Sequence, residues 1–548
     1  MMKYVIALIA FGATMSHAYA QYVMPQPTRH EARNAAYVAK AQQDKAVAAG
    51  ATITATDLRE HLSIIASDGF AGRETGSAGQ HRAAGYIAGE FQKIGLTPAG
   101  DDGTYFQHIT FDNNAWEQTY VVANGQRYKH LKDFYTFPSL NQNNPVQFAE
   151  AVTFLGYGID DDAYSDYKGR DVSTEVVMIY SGEPRDQAGN SYITGDATNS
   201  KWTDNIRPKL EAAGKHGVKT VLIIDPDINK NIDRYRRFLI GGRLALPQDT
   251  DDAAPTMANS LFISPGMAKA ILGKRMKKVI KARKKIEADG RPKTVRIPAQ
   301  LQIVQQKDSE GVPSYNILGY LEGSDPQLKD ELLVISAHYD HLGTRGEDIF
   351  NGADDNGSGT STIIEVAEAL VEAKRWGVGP RRSVLFLLVT AEEKGLLGSE
   401  YYVNHPKYPL ANTIADINVD MVGRVDQVYE AQDNPYYIYV IGSDRLSTDL
   451  HNINERVNKQ YTDLTLDYKY NAEDDPNRYY YRSDHYNFAE LGIPSIFFFN
   501  GTHDDYHRAT DTVEKINFEK METIGRLVYH LALDLTTRAE RIKVDVKP

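Results

Sequence analysis

The sequence predicts an α/β protein: a mainly parallel sheet covered by helices on both faces, interrupted by a β-rich α+β insertion. Three observations carry this reading. From about residue 298 onward, short fully apolar runs alternate with amphipathic segments, as expected of buried strands joined by helical crossovers. Between about 131 and 297 the pattern changes to short β-type runs such as Val176-Val177-Met178-Ile179-Tyr180. Ahead of that block, Leu58, Leu62 and Ile65, then Ala84, Ile87, Phe91 and Ile94, recur at helical spacing before Gly95 stops the second helix.

Taken in chain order, residues 1–20 read as a signal peptide of the Sec type: a positive start at Lys3, an apolar run from Tyr4 to Met15, and the cleavage signature Ala18-Tyr19-Ala20. The run is too short to span a bilayer, and no cysteine succeeds it to carry a lipid anchor. The expected location is therefore the periplasm or the extracellular space, with no membrane anchor. Residues 21–50, polar and alanine-rich, read as a linker or N-terminal extension, or as a loosely docked helix. Residues 51–130 form the first part of the main domain, 131–297 the insertion and 298–548 the second part. Within the insertion, Lys209 to Ala213 leads into Val221-Leu222-Ile223-Ile224 as a helix-then-strand unit. A basic stretch from Lys274 to Lys285 closes it, with Leu272, Met276, Val279 and Ile280 on one helical face and the lysines on a solvated one. In the last part, apolar runs lie at 332–337, 384–389, 414–419, 437–441 and 493–499. Helices are expected at about 358–374 and at 518–535.

Composition narrows the function. The chain of 548 residues carries a net charge of −12, which disfavours a phosphate backbone as partner, so nucleic acid is not expected. Hydrophobic and charged fractions of 42% and 24% are those of a folded globular protein. Cysteine is absent, which removes disulfide scaffolds, thiolate metal sites and a catalytic thiol together.

The residues at the C-terminal ends of the apolar runs are more specific. The first run leads into His338-Tyr339-Asp340, and the next helix is preceded by Gly352-Ala353-Asp354-Asp355-Asn356-Gly357-Ser358-Gly359. Later runs end at Glu392-Glu393, at Asp420, and at a loop holding His503 and His507. Ligands of open α/β sheets bind beyond the carboxyl ends of the strands. Each residue alone has an ordinary structural role, as a buried histidine, a helix cap or a turn, but those roles predict no shared placement. Imidazoles and carboxylates without thiolates form the ligand set of catalytic zinc, with manganese or cobalt as substitutes. Two histidines and three acids fit two metals about 3.5–4 Å apart bridged by a carboxylate. A further acid must take the proton of the attacking water, and adjacent Glu392 and Glu393 can divide ligation and proton transfer. Asp340, two residues along a strand from His338, shares its face and can accept the free ring N–H.

These segments resemble the M28 zinc peptidases, the aminopeptidase group that includes glutamate carboxypeptidase-like enzymes. The resemblance rests on Ser336 to Gly343, Gly352 to Gly359, Ala391 to Gly395, Asn418 to Gly423 and Asp505 to Thr512, with Gly72 to Ser77 upstream. It implies two Zn²⁺ per chain, with His338, Asp354 and Asp420 on one and Asp354, Glu393 and His507 on the other, Asp354 bridging. It also implies Glu392 as general base, Asp340 orienting His338, Tyr506 supporting the reacting centre, and a cis peptide between Asp354 and Asp355. His341, His485 and His503 match no ligand position. The middle block resembles the inserted protease-associated (PA) domain of many such enzymes, expected to roof the cleft.

The resulting expectation is a secreted or periplasmic exopeptidase acting on peptide substrates as an aminopeptidase. The stretch Tyr479-Tyr480-Tyr481-Arg482-Ser483-Asp484-His485 reads either as the lining of a pocket for bulky apolar or aromatic N-terminal residues or as a Tyr-rich structural loop. The alternatives are a carboxypeptidase, for which no cationic side chain is localised by the sequence, and a receptor-like binding module that kept the fold without the chemistry. The sequence does not fix the oligomeric state.

Overall fold

A computed structural model describes residues 28–240, 242–247, 257–308 and 310–546; the expected signal peptide lies outside them. The architecture arises from strands that are apolar on both sides. In β3 (Leu332–His338) every residue is buried. Leu333, Ile335 and Ala337 pack into one core with helices α3 (Ala55–Ile65), α4 (Ala78–Ile94), α5 (Gly359–Arg375) and α8 (Phe518–Thr537). Leu332 and Val334 face the other way, against Tyr402 of α6 (Leu397–Asn404) and Phe488 of α7 (His485–Glu490). The two-residue period of the strand thus serves two helical layers at once, as the sequence predicts.

Among the described residues the main sheet has ten strands. Eight carry it: β1 (Phe106–Asn114), β2 (Val312–Leu321), β3, β4 (Ser383–Val389), β5 (Thr413–Val419), β6 (Tyr437–Ile441), β7 (Thr465–Asp467) and β8 (Ser495–Phe499). Their order is β7-β6-β8-β5-β3-β4-β2-β1; short strands Arg243–Ala245 and Thr97–Pro98 add to β1 and β2. The central four, β4-β3-β5-β8, are mutually parallel, so their carboxyl ends lie on one edge. The flanks are mixed: β2 is antiparallel to β4, β1 to β2 and β6 to β8. Parallelism is thus concentrated where helical crossovers cover both faces, and the antiparallel pairs occupy the sides.

A second sheet, of eight strands among the described residues, has its own apolar core. Val176–Tyr180, Thr220–Ile224 and Asn259–Ile263 run parallel within it, and the long strand Thr294–Lys307 pairs with Asn144–Leu155 and Trp116–Ala123. Since Trp116–Ala123 and residues up to Lys307 belong to this sheet, its limits lie outside the expected 131–297 on both sides. Those flanking strands are amphipathic and carry no composition break at the boundary. The 21–50 segment takes the helical alternative in the structure, and its helices are firmly docked. Its described part forms α1 (Arg29–Ala41), with a capping box at Thr28 and Glu31, and α2 (Lys45–Gly50). Tyr37, Val47 and Ala49 are buried, and the Tyr37 hydroxyl sits 2.6 Å from His530 Nε2 on α8. Among the described residues no helix is long and apolar enough to cross a membrane.

Candidate metal centre

The four parallel strands deliver their C-terminal residues to one place. His338 is the last residue of β3 and is 1% exposed. Its Nε2 lies 3.3 Å from Asp355 Oδ1, 3.3 Å from Asp420 Oδ1 and 4.0 Å from Glu392 Oε2. The opposite nitrogen, Nδ1, lies 3.1 Å from the main-chain carbonyl of Asp340, whose carboxylate is farther off at 3.8 Å. The carbonyl, not the expected carboxylate, therefore orients the ring. That carboxylate is spent elsewhere, accepting from the Thr75 hydroxyl at 2.8 Å and from the Glu392 N–H at 3.1 Å.

The two adjacent aspartates correct the sequence reading. Asp355, not Asp354, faces the imidazoles: its Oδ1 meets His338, and its Oδ2 lies 3.1 Å from His507 Nε2 and 3.8 Å from His341 Nδ1. Asp354 turns to the other side, where it accepts from Gly423 N–H at 2.6 Å and Asn500 Nδ2 at 3.1 Å and lies 3.2 Å from His503 Nε2. The cis peptide joins Asp355 to Asn356, one residue later than expected. The segment is pinned from several directions. Asp511 Oδ2 accepts the N–H groups of both Asp354 and Asp355, at 3.0 and 3.2 Å. Asn356 is bonded to Val419, Gly359 and Met421, and the Ser358 hydroxyl donates to the Asp354 carbonyl. Spacing along the chain cannot tell which of two neighbouring acids points inward; this hydrogen-bond frame does.

After β4, Ala391 adopts a left-handed conformation (φ 56°). Glu392 then leans toward His338, while Glu393 reaches His507 Nε2 at 3.3 Å and His341 Nδ1 at 2.8 Å. Burial pushes the Glu392 carboxyl well above the carboxylate range; the His338 charge opposes this, and Glu393, Asp484 and Asp420 reinforce it. Asp420, just past β5, accepts from the Ser483 hydroxyl at 2.8 Å through Oδ2, leaving Oδ1 for His338. For His507, burial lowers the pKa but Asp355 and Glu393 outweigh it, and the ring is held up to about 10. Tyr506 stacks on His507 with ring centroids 3.9 Å apart.

Whether these residues suit a cation is decided by their unsatisfied atoms. Both ring nitrogens of His341, Asp355 Oδ2, Glu393 Oε1 and Asp420 Oδ1 are buried without a hydrogen-bond partner. Buried acids facing one another and lacking donors are costly unless a positive charge joins them. Ligand atoms of His338, Glu392 and Asp420 lie within 4.8 Å of one another, as do those of His341, Asp355 and Glu393. The donor set therefore fits divalent cations. Next to it is a cavity lined by Met421, Tyr479, Phe497, Phe499 and Tyr506, with Arg482 also on its wall. Arg482 Nη2 lies 3.3 Å from the Tyr506 hydroxyl.

Two residues here are absent from the expected site: His341 and Arg482. His341 carried a signal, since it lies three residues past His338 at the same sheet edge. Arg482 lies within the Tyr479–His485 stretch expected to line a pocket, but nothing in its spacing singled it out as the cation on the cavity wall. His503, expected outside the ligands, supports Asp354. His485 is buried beside Phe497 and Tyr480, away from the acids.

Residues 316–532 match the family described as Peptidase family M28. The chain is 30% identical over 244 residues to leupeptin-inactivating enzyme 1 of Streptomyces exfoliatus, covering 44% of this chain and 48% of that protein. It is 29% identical to aminopeptidase YwaD of Bacillus subtilis over 248 residues, 43% of this chain and 46% of the relative. Each match thus spans about half the length of these relatives. Among solved structures, an aminopeptidase from Aneurinibacillus sp. strain AM-1 aligns over 91% of this chain and 97% of its own, at 17% identity and a TM-score of 0.47.

Proposed function

We propose, from the match of residues 316–532 to peptidase family M28, that the protein is a zinc-dependent exopeptidase that releases N-terminal residues from peptides. The observation that carries this is the Asp355 carboxylate, one oxygen 3.3 Å from His338 and the other 3.1 Å from His507, so that one acid faces both imidazoles. His338, Asp355 and Asp420 would hold one zinc; Asp355, Glu393 and His507 would hold the other. The similarity to relatives named aminopeptidases supports the same reading. Bound zinc would supply Lewis acidity and a water acidified toward neutral pH.

The chain's own groups do the rest. Glu392, placed by its N–H on Asp340, takes the water's proton on its carboxylate and passes it to the leaving amine. The backbone carbonyl of Asp340 keeps His338 in the tautomer that presents Nε2 inward. Tyr506 lines the cavity and offers its hydroxyl to the scissile carbonyl oxygen as negative charge develops. Met421, Tyr479, Phe497 and Phe499 give the cavity apolar walls, which favours bulky apolar or aromatic N-terminal side chains. The second eight-stranded sheet is read as a PA-like insertion that helps choose substrates, and residues 1–20 as the export signal.

A second reading has one observation in its favour: the Arg482 guanidinium on the cavity wall is a cation that could pair with a substrate carboxylate, as a carboxypeptidase needs. Product analysis on an unblocked peptide and its N-acetylated twin separates the two. Residues should leave sequentially from the free N-terminus and the acetylated peptide should survive. Equal cleavage of both from the C-terminus would reject the aminopeptidase reading, and no cleavage that a chelator stops and zinc restores would reject both.

A further inference from the structure

His341 occupies an anomalous position for an imidazole. It is fully buried, and neither ring nitrogen has a hydrogen-bond partner. Yet Nδ1 lies 2.8 Å from Glu393 Oε1 and 3.8 Å from Asp355 Oδ2. Glu393 Oε1 and Asp355 Oδ2 are themselves without a hydrogen-bond partner. At 2.8 Å the separation suits a hydrogen bond, but the angle does not aim a ring N–H at the oxygen. A bare nitrogen lone pair facing a carboxylate oxygen is repulsive. An imidazolium would leave a second N–H buried with no acceptor, at a cost of about 1–3 kcal/mol. The misdirected contact and the lone-pair repulsion both disappear if Nδ1 and the oxygens converge on one positive ion, which leaves only the Nε2–H buried without an acceptor.

The position is also built. A Cβ at Gly352 would lie 2.4 Å from His341 Cδ2 and 2.5 Å from Cγ, so the loop before α5 packs directly on the ring and only glycine fits. The His341 main-chain N–H donates to the Arg73 carbonyl at 3.2 Å. The fully buried Arg73 guanidinium in turn binds the carbonyls of Ile65, Tyr339, Asn351 and Gly352. Backbone on both sides of the imidazole is thus tied to one side chain. The His507 ring lies 5.8 Å away at 67° and approaches the same two carboxylates, so the two histidines face a shared point from different directions.

We propose that His341 is a third histidine ligand, completing with Asp355, Glu393 and His507 a four-ligand site for a divalent cation. The two halves of the centre are then unequal. The His338, Asp355 and Asp420 half has three protein ligands and an open position, as catalytic zinc sites do, whereas the His341 half is closed by protein in the manner of a tightly held structural ion. The inference rests on the two-zinc reading, and the experiment is chosen to fail separately from it.

Zinc content is measured by elemental analysis after dialysis against a graded chelator, on the wild type, H341A and H341N, with circular dichroism to check folding. The wild type should retain two ions, and both variants should retain one while the other weakens at least ~100-fold, beyond the 10–100-fold typical of residues that merely support a ligand. Two ions held with wild-type affinity in the variants, or the loss of both ions, would overturn the assignment. Fewer than two ions in the wild type would overturn the two-zinc reading itself, and His341 with it. X-ray absorption on the dizinc wild type needs no variant: its outer-shell scattering should report three imidazoles shared by two ions, and a count of two would refute the proposal even if both variants failed to fold.

Discussion

Exchanging each of the adjacent aspartates for asparagine should produce opposite defects. Asp354 Oδ2 faces two donors, Asn500 Nδ2 and His503 Nε2, and Oδ1 faces the Gly423 N–H. In D354N the amide NH₂ must confront a donor in either orientation, so at least one charge-assisted hydrogen bond is replaced by a donor–donor contact. At about 1.5–3 kcal/mol per such bond, the loss is about 2–3 kcal/mol. That corresponds to a fall in Tm of roughly 3–5 °C for a unit of this size. The zinc ligands are untouched, so added zinc should still raise the Tm. D355N behaves the other way. It removes the carboxylate facing both His338 and His507, so both ions weaken. A 100-fold weakening lowers the zinc-linked stabilisation by about 2.7 kcal/mol per site at fixed free zinc. Differential scanning fluorimetry with and without zinc, paired with elemental analysis, reads both effects. If D354N emptied the site while D355N kept its zinc, the inward orientation of Asp355 and the outward one of Asp354 would both be refuted.

Glu392→Gln should leave zinc content and Tm near wild type while lowering kcat by about 10²–10⁴-fold; full activity would remove Glu392 from proton transfer. His338→Ala and His507→Ala should each lose bound zinc by elemental analysis, and unchanged content in either would exclude that residue as a ligand. Acid should loosen the N-terminal helices. Burial, with Arg526 and Lys40 nearby, holds the His530 pKa down to about 3 against an ordinary 6.5. Below pH ~6.5 the unfolded chain takes a proton that the folded one refuses, so stability is complete above that pH and falls by about 1.4 kcal/mol per unit down to ~3. His530→Gln, which cannot titrate, should show a flatter Tm–pH profile between pH 6.5 and 4.5; an identical slope would reject this role.

The sheet and the character of its chemistry were legible in the linear order of residues. The run from Leu332 to Ala337 is apolar at nearly every position, a composition suited to a strand buried on both faces, and the histidines and acids after each such run required no knowledge of loops. Parallel strands bring their carboxyl ends together whatever the details, so His338, Glu392, Glu393, Asp420 and His507 were legible as a set. The edges of the inserted sheet were not, because the strands around Trp116 and Lys307 are half exposed and differ little in composition from their neighbours.

The orientation of single side chains emerges only in the folded chain. Asp354 and Asp355 are chemically identical and adjacent; Asp511, from a loop more than 150 residues away, holds their backbone so that Asp355 meets the imidazoles. His341 enters the centre because Gly352 and Arg73 hold its ring there, and Arg482 reaches the cavity through the path of its loop. Periodicity and spacing report which face of an element is buried, since that depends on many residues at once. Which way one polar side chain turns depends on a few hydrogen bonds from distant segments, and linear order does not contain them.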